Sequence, residues 1–364
     1  MLSNILVVTL TTVIAEVCAR IYYNKIKSNP SNKDGVEAVE YILSEHSVSP
    51  HRKFIANPYT LYWNAPNRIK NSSMETNSQG YRSKFEISKK KNSNDFLILV
   101  LGGSTTFSDH FISDHKKTWT GQLEKFLRSY LPKHIRVRVV NAGLNYATTA
   151  ELLSHYIYNG QHLLPDIVFL DGPGNDFLPV AFGDKTTDYR YTRKSISFQK
   201  RKFEKNLLRF YLIRFVYLKW VTSANLIQME PEGFKLEQRS QHNSRLERSK
   251  APVYKMNVST LAKIVSANDS RLILVDFLRP SRQKMKTTNP KTYNGLLRFN
   301  QVCSQINDNL AKNFRSVFHI NLAKAQLQDV HFHDSCHLTE TGEFYKARFI
   351  FEYMKKNKLL NLVQ

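Results

Sequence analysis

The sequence predicts an α/β fold, a three-layer α/β/α sandwich built on a five-stranded parallel sheet. Two observations predict it. From Phe96 onward, short apolar runs alternate with longer amphipathic stretches, the signature of a parallel sheet covered on both faces. Glycine-rich or polar turns then follow the first three runs, which puts them at the edge where open α/β sheets bind ligands. The predicted strands are Phe96 to Leu101, Ile135 to Val140, Asp166 to Leu170, Leu272 to Phe277 and Val317 to Asn321.

Helical periodicity predicts helices over Trp119 to Tyr130, Thr149 to Gly160 and Leu296 to Asn313, with a last one from Thr341 to about Lys356. Asp184 to Lys250 breaks this alternation. It is too long for an ordinary loop and rich in Arg and Lys, so it reads as an insertion at about 184–250. Inside it Phe203, Leu207, Phe210, Arg214 and Tyr217 fall at helical spacing, with cations around most of the circumference. Such a helix fits a membrane surface, or a lid over the core with its basic face in water.

At the N-terminus an apolar stretch from Ile5 to Ala15 continues past Glu16 and Arg20 to Tyr23. Residues 1–23 read as a membrane anchor, long enough to span if Glu16 and Arg20 lie near a boundary or face a partner. No basic residue precedes the run, and Ala15-Glu16-Val17 is a poor cleavage site, which argues against a removed signal peptide. Arg20, Lys25 and Lys27 follow the run, and the positive-inside rule places that side in the cytoplasm. Residues 24–94 form a polar lead-in whose aromatics can pack on the main domain, which occupies residues 95–364.

Hydrophobic residues make up 41% and aromatics 12% of the 364 residues, enough for a packed core and too much for global disorder. Lys and Arg number 53 against 30 Asp and Glu, a net charge of +23, which predicts an anionic neighbour. No helix-turn-helix, zinc-finger or RNA-recognition signature accompanies the charge, so no specific nucleic acid is expected; anionic lipid or polysaccharide accounts for it as well. Cys18, Cys303 and Cys336 cannot make a disulfide framework. A Cys303–Cys336 bridge is open to the chain, with reduced thiols the favoured reading.

The chemistry concentrates in DVHFHDSCHLTETG, Asp329 to Gly342, where Asp334 and His337 stand three apart just before a predicted helix. That spacing lets a carboxylate orient an imidazole. The nucleophile to match is Ser104 in LGGSTTF, which follows the first strand directly, where a small side chain projects from the sheet edge. The second strand leads into Asn141-Ala142-Gly143 and the third into Asp171-Gly172-Pro173-Gly174-Asn175-Asp176. Each has a plain alternative: a glycine-rich turn is often only a turn, Gly143 can simply close a loop, and Asn175-Asp176 can cap a helix. The joint occurrence in register with the strands is what points to a site. His331 and His333 with Asp334 and His337 also offer metal ligands, but no second ligand group accompanies them and serine chemistry needs none, so neither metal nor cofactor is expected.

Four ordered blocks resemble the SGNH, or GDSL-like, hydrolase superfamily: Gly102-Gly103-Ser104-Thr105-Thr106, Asn141-Ala142-Gly143, Gly174-Asn175-Asp176 and Asp334-Ser335-Cys336-His337-Leu338-Thr339. The similarity spans roughly Phe96 to Lys356 apart from the insertion. It departs from the family in reading Gly-Gly-Ser for Gly-Asp-Ser, as in membrane-anchored bacterial members, which Asn77-Ser78-Gln79-Gly80-Tyr81-Arg82 also resembles, and in the spacing from Gly172 to Asn175. The resemblance implies a flavodoxin-like sheet, with Ser104 as nucleophile, His337 as base and Asp334 orienting it. It implies an oxyanion hole from the N–H groups of Ser104 and Gly143 and the Asn175 amide. It further implies an esterase or acyl-transferring enzyme acting on O-acyl groups, O-acetyl among them, of a glycan or lipid. It places the catalytic domain outside the cytoplasm, against the flanking charges. The alternative is an inactive SGNH-like module that binds acylated glycan or another anionic polymer.

Overall fold

The computed structural model describes residues 2–27, 54–57, 59–70, 73–88, 94–108, 111–173, 175–183, 189, 206–216, 240–285 and 290–361. After α1 (Leu2–Lys27) come two antiparallel hairpins, β1 (Phe54–Asn57) with β2 (Leu61–Asn64) and β3 (Ile69–Lys70) with β4 (Ser73–Met74). The central sheet holds β5 (Asp95–Gly102), β6 (Arg136–Gly143), β7 (Ile167–Asp171), β8 (Arg271–Val275) and β9 (Val317–Ile320). Their order is β6-β5-β7-β8-β9 and every pairing is parallel. Chain order and spatial order part company between β5 and its two neighbours, so a crevice opens above the end of β5.

The helices are α2 (Ser104–Phe107), α3 (Trp119–Tyr130), α4 (Thr149–His155), α5 (Phe177–Phe182), α6 (Ser240–Arg248), α7 (Pro252–Ala267), α8 (Pro290–Asn313) and α9 (Glu340–Lys356). Alternate residues of each strand feed opposite faces. Leu97, Leu99 and Leu101 of β5 pack with α4, α7 and α8, while Phe96, Ile98 and Val100 pack with α3 and α9. Complete burial of both sets explains why β5 reads as an unbroken apolar run. Truncating Leu99 to Ala there should cost about 2–5 kcal/mol.

All five predicted strands are present, although β6 runs past Val140 to Gly143. Helix α3 has its predicted bounds, set at the start by Thr118, whose side chain accepts from the Gly121 N–H. The helix predicted to Gly160 loosens into a π-helical turn from Tyr156, and α8 begins at Pro290, ahead of the expected Leu296. Helix α7 was not anticipated: it supplies the crossover into β8 and begins at Pro252, just beyond the predicted end of the insertion. The lead-in is more structured than its polarity suggests, with Tyr62, Trp63 and Tyr81 buried in the core.

Helix α1 contains one stretch, Leu6–Ile26, long and apolar enough to cross a membrane by length and composition, a test that a signal sequence also passes. Of the basic amphipathic stretch, 206–216 is described, while Phe203 and Tyr217 lie outside the described residues. This stretch meets α1: the Glu16 carboxylate accepts from the backbone N–H groups of Tyr211, at 2.5 Å, and Leu212, at 3.0 Å. Tyr23 packs edge-on against Tyr211 with centroids 5.6 Å apart, and Tyr22 against Phe215 at 5.5 Å. The partner that a charge within the apolar helix requires is thus supplied from the insertion. The three cysteines are free thiols, Cys303 buried, Cys336 half-buried and Cys18 exposed.

Candidate active site

Ser104 opens α2 directly beyond β5, with Gly103 as the residue before the helix. Its backbone N–H and that of Thr105 precede the first intrahelical acceptor, since the bonds to Gly103 O begin at Thr106 and Phe107. The turn is held from below. Thr106 Oγ1 donates to Asp171 at 2.6 Å, and the same carboxylate pairs with buried Lys346 at 2.6 and 2.8 Å. Asn141 Nδ2 donates to the Thr106 carbonyl at 2.7 Å, and buried Arg82 donates to the carbonyls of Phe107 and Ile112. Ser104 therefore sits on a turn tied down by its neighbours.

The histidine loop closes on it from the other side of the crevice. His337 Nε2 lies 2.9 Å from Ser104 Oγ, and His337 Nδ1 lies 2.7 Å from Asp334 Oδ2. The other carboxylate oxygen of Asp334 accepts the backbone N–H groups of Cys336, at 2.9 Å, and His337, at 2.8 Å. One side chain thus orients the imidazole and shapes the loop that carries it. Thr339 caps α9 just beyond, its side chain accepting from Gly342 at 3.1 Å.

Burial alone would lower the His337 pKa, but hydrogen bonds to Asp334 and Cys336 and the negative charge beside it outweigh this and raise it above the ordinary 6.5. Burial would conversely raise Asp334; its bonds from His337 dominate and hold it below 3.8. The two groups thus favour each other's charged form, the carboxylate stabilising a protonated His337. Buried Glu343, which accepts from Ser108 at 2.8 Å, is pushed up to about 7 by burial. It braces the site from the α9 side without reaching Ser104.

The predicted oxyanion donors divide. Asn175 is half-buried with Nδ2 3.1 Å from the Ala147 carbonyl, which places its amide beside the turn after β6. Gly143 does a different job from the one expected. Its N–H is donated to Asn141 Oδ1 at 3.0 Å, and a Cβ at this position would collide with the Phe107 backbone, so the glycine allows α2 to sit down on β6. The turn beside Asn175 instead carries Tyr146 at φ 65, a left-handed conformation costly for an aromatic residue. Nothing in the spacing of the sequence marks it. Gly172 needs its positive φ of 72 at the end of β7, and Gly174 lies outside the described residues. Asp176 is not at the rim: it accepts from Thr149 N at 2.8 Å, Thr149 Oγ1 at 2.6 Å and Tyr189 at 2.9 Å, and burial pushes it up to about 7.

The histidines considered as metal ligands separate as well. His331 Nδ1 accepts from the Gln328 N–H at 2.9 Å, and His333 stacks on Phe111 with centroids 4.3 Å apart. Among the described residues the one set of side chains close enough to share an ion is Asp334, Cys336 and His337, and there the Asp334–His337 hydrogen bond already joins two of the three. A serine hydroxyl, an imidazole and a carboxylate in this sequence can generate an alkoxide-like nucleophile and return its proton to a leaving group.

No protein-family model matches the chain, and no curated protein matches it. Among solved structures it is similar to TesA, with 15% identity, a TM-score of 0.42 and coverage of 71% of this chain and 98% of that one. It is also similar to Axe2, an acetylxylan esterase from Geobacillus stearothermophilus, at 13% identity, TM-score 0.41, covering 71% and 93%. A GDSL-like lipase from Bacteroides thetaiotaomicron is similar at 12% identity and TM-score 0.40, covering 75% and 92%.

Proposed function

We propose that this chain is a serine esterase of SGNH type, acting on O-acyl esters of a glycan or lipid through Ser104, His337 and Asp334. The observation that carries the reading is the continuous chain from Ser104 Oγ through both nitrogens of His337 to Asp334, at 2.9 and 2.7 Å. Ser104 Oγ attacks the ester carbonyl as His337 Nε2 takes its proton, and Asp334 stabilises the imidazolium. The tetrahedral oxygen meets the Ser104 N–H and the Asn175 amide. His337 then protonates the leaving alcohol, and water or an acceptor alcohol takes the acyl group from Ser104 by the reverse path.

The proposed placement is a domain held at a membrane by α1, with the catalytic crevice outside the cytoplasm. A reporter fused after Gln364 that is active only in the cytoplasm would overturn that orientation.

The chemistry is tested with a fluorophosphonate probe and p-nitrophenyl acetate. Wild type should label and turn over, and Ser104→Ala and His337→Ala should do neither. A folded wild-type protein that neither labels nor hydrolyses the ester would make this a binding module.

A further inference from the structure

Among the described residues, the buried cations are matched to acceptors, and half-buried Arg279 at the crevice is not. Arg68 pairs with Glu75 at 3.2 Å, Lys346 with Asp171 at 2.6 Å, and Arg82 with two backbone carbonyls. Arg279 is half-buried, and its Nε is shut off from solvent without a hydrogen-bond partner. What surrounds its head is aromatic: the guanidinium carbon lies 5.2 Å from the Phe177 ring centroid and 5.0 Å from that of Phe277. Rings hold a guanidinium and keep water off it, but they supply no counter-charge.

Its position follows from the topology. Arg279 lies in the segment leaving β8 at the carboxyl edge of the sheet. Phe177 opens α5, two residues after Asn175, and Phe277 packs on Gly172, where a Cβ would press into its ring. The Asp334 carboxylate also acts on Arg279 through space. The guanidinium thus stands between the loop that carries Asn175 and the loop that carries His337. Its own segment is tied down: Ser281 N donates to Asp329 Oδ1 at 2.7 Å, and Tyr293 donates to the Pro280 carbonyl at 3.2 Å. Asp334 does not serve as its ion-pair partner, being committed to Cys336 and His337.

A cation partly withdrawn from water, given no ion-pair partner and held at the sheet edge between the Asn175 and His337 loops, is arranged for an anion that arrives with the substrate. We propose that Arg279 is a specificity residue, receiving a carboxylate or phosphate group carried by the ester that Ser104 attacks. This rests on the esterase reading and adds the charge of its substrate. The net charge of +23 acts in the same direction at long range by drawing anionic molecules to the surface.

The test compares kcat/KM for matched neutral and anionic esters: p-nitrophenyl butyrate against mono-p-nitrophenyl succinate and the corresponding phosphonate for an acyl-side anion, and phenyl acetate against p-carboxyphenyl acetate for a leaving-group anion. Arg279→Ala and Arg279→Met should leave the neutral esters and probe labelling unchanged, while at least one anionic member loses about tenfold to a hundredfold, the scale of one charge-assisted contact. Arg279→Lys should recover part of the loss, and whether succinate or phosphonate suffers more tells which anion the site prefers. An unchanged anionic-to-neutral ratio in the variants overturns the proposal. An unlabelled, inactive wild type overturns the esterase reading instead. The anion site is then read by NMR titration of Ser104→Ala with p-carboxyphenyl acetate: shifts that vanish on adding Arg279→Ala support it, and shifts that persist, or none at all, refute it.

Discussion

Ser104, His337 and Asp334 at the end of β5, and Ser304, His319 and Asp276 beside the edge strand β9, are the same three residue types within hydrogen-bond reach, yet they are wired differently. In the first group the imidazole is the centre, bonded to the serine through Nε2 and to the carboxylate through Nδ1. In the second the carboxylate is the centre: Asp276 takes Ser304 Oγ at 2.8 Å, His319 Nε2 at 2.8 Å and Asn307 Nδ2 at 3.5 Å. There Ser304 donates its hydrogen bond to the aspartate and not to the imidazole, so no histidine stands ready to activate the hydroxyl. The second group also borders an open cavity of about 670 Å³, lined in part by Ser304, His319, Lys324 and Tyr353. Cavity and residue types alone do not separate the two groups. The two groups differ in their order of connection, and only the first has its serine at the start of a helix.

The sharpest way to break this comparison is to delete each serine and histidine in turn. Ser104→Ala or His337→Ala should lower ester turnover by about 10⁴-fold or more, whereas Ser304→Ala and His319→Ala should leave it unchanged. Equal losses at the two places would show that the wiring had been misread. Asn175→Ala should cost about 10²–10³ in kcat with little change in KM, the mark of a donor that acts in the transition state; a pure KM effect would assign it to ground-state binding.

The pH dependence sharpens the contrast further. His337 must be neutral to act as base, so kcat/KM should rise with pH through a midpoint above 6.5, and Asp334→Asn should move that midpoint downward. The same pair has a stability signature. His337, raised above its ordinary value, contributes stability that is full below pH 6.5 and lost as pH climbs through the raised value. Asp334, lowered below 3.8, contributes stability that is present above that pH and lost as pH falls through the lowered value. Urea unfolding of wild type against Asp334→Asn should therefore differ most between pH 3.8 and 6.5, and a gap independent of pH would contradict the pairing. The smallest expected effect belongs to the second group, where His319→Ala should cost about 1–3 kcal/mol by leaving a buried acceptor short of a donor, seen as a lower Tm with activity intact.

Much of the Ser104, His337 and Asp334 group was legible because its residues lie where local rules operate. Ser104 follows an apolar strand, and Asp334 and His337 share one tight loop closed by Thr339 at a helix start. What escaped the sequence depends on partners distant along the chain. Asn64 donates to the Gly143 carbonyl at 2.8 Å and Tyr62 to the Asn145 carbonyl at 2.7 Å, so a polar lead-in proves to be a brace beneath the site. Helix α7, beyond the insertion, was not anticipated, although Val258, Leu261 and Val265 mark a buried face. Gly143 was legible as a glycine and not as a packing contact, because only the folded chain brings Phe107 against it.

The clasp between Glu16 and the backbone of Tyr211 and Leu212 has a consequence for where this protein can look for substrate. A bilayer around α1 would draw 206–216 to the lipid surface with it, since releasing the clasp strands a carboxylate on an apolar helix. Anchor and insertion would then hold the domain at two points, and its encounters would be confined to a thin layer beside the membrane. The protein would survey that layer by lateral diffusion, a two-dimensional search over molecules that are themselves fixed to the surface.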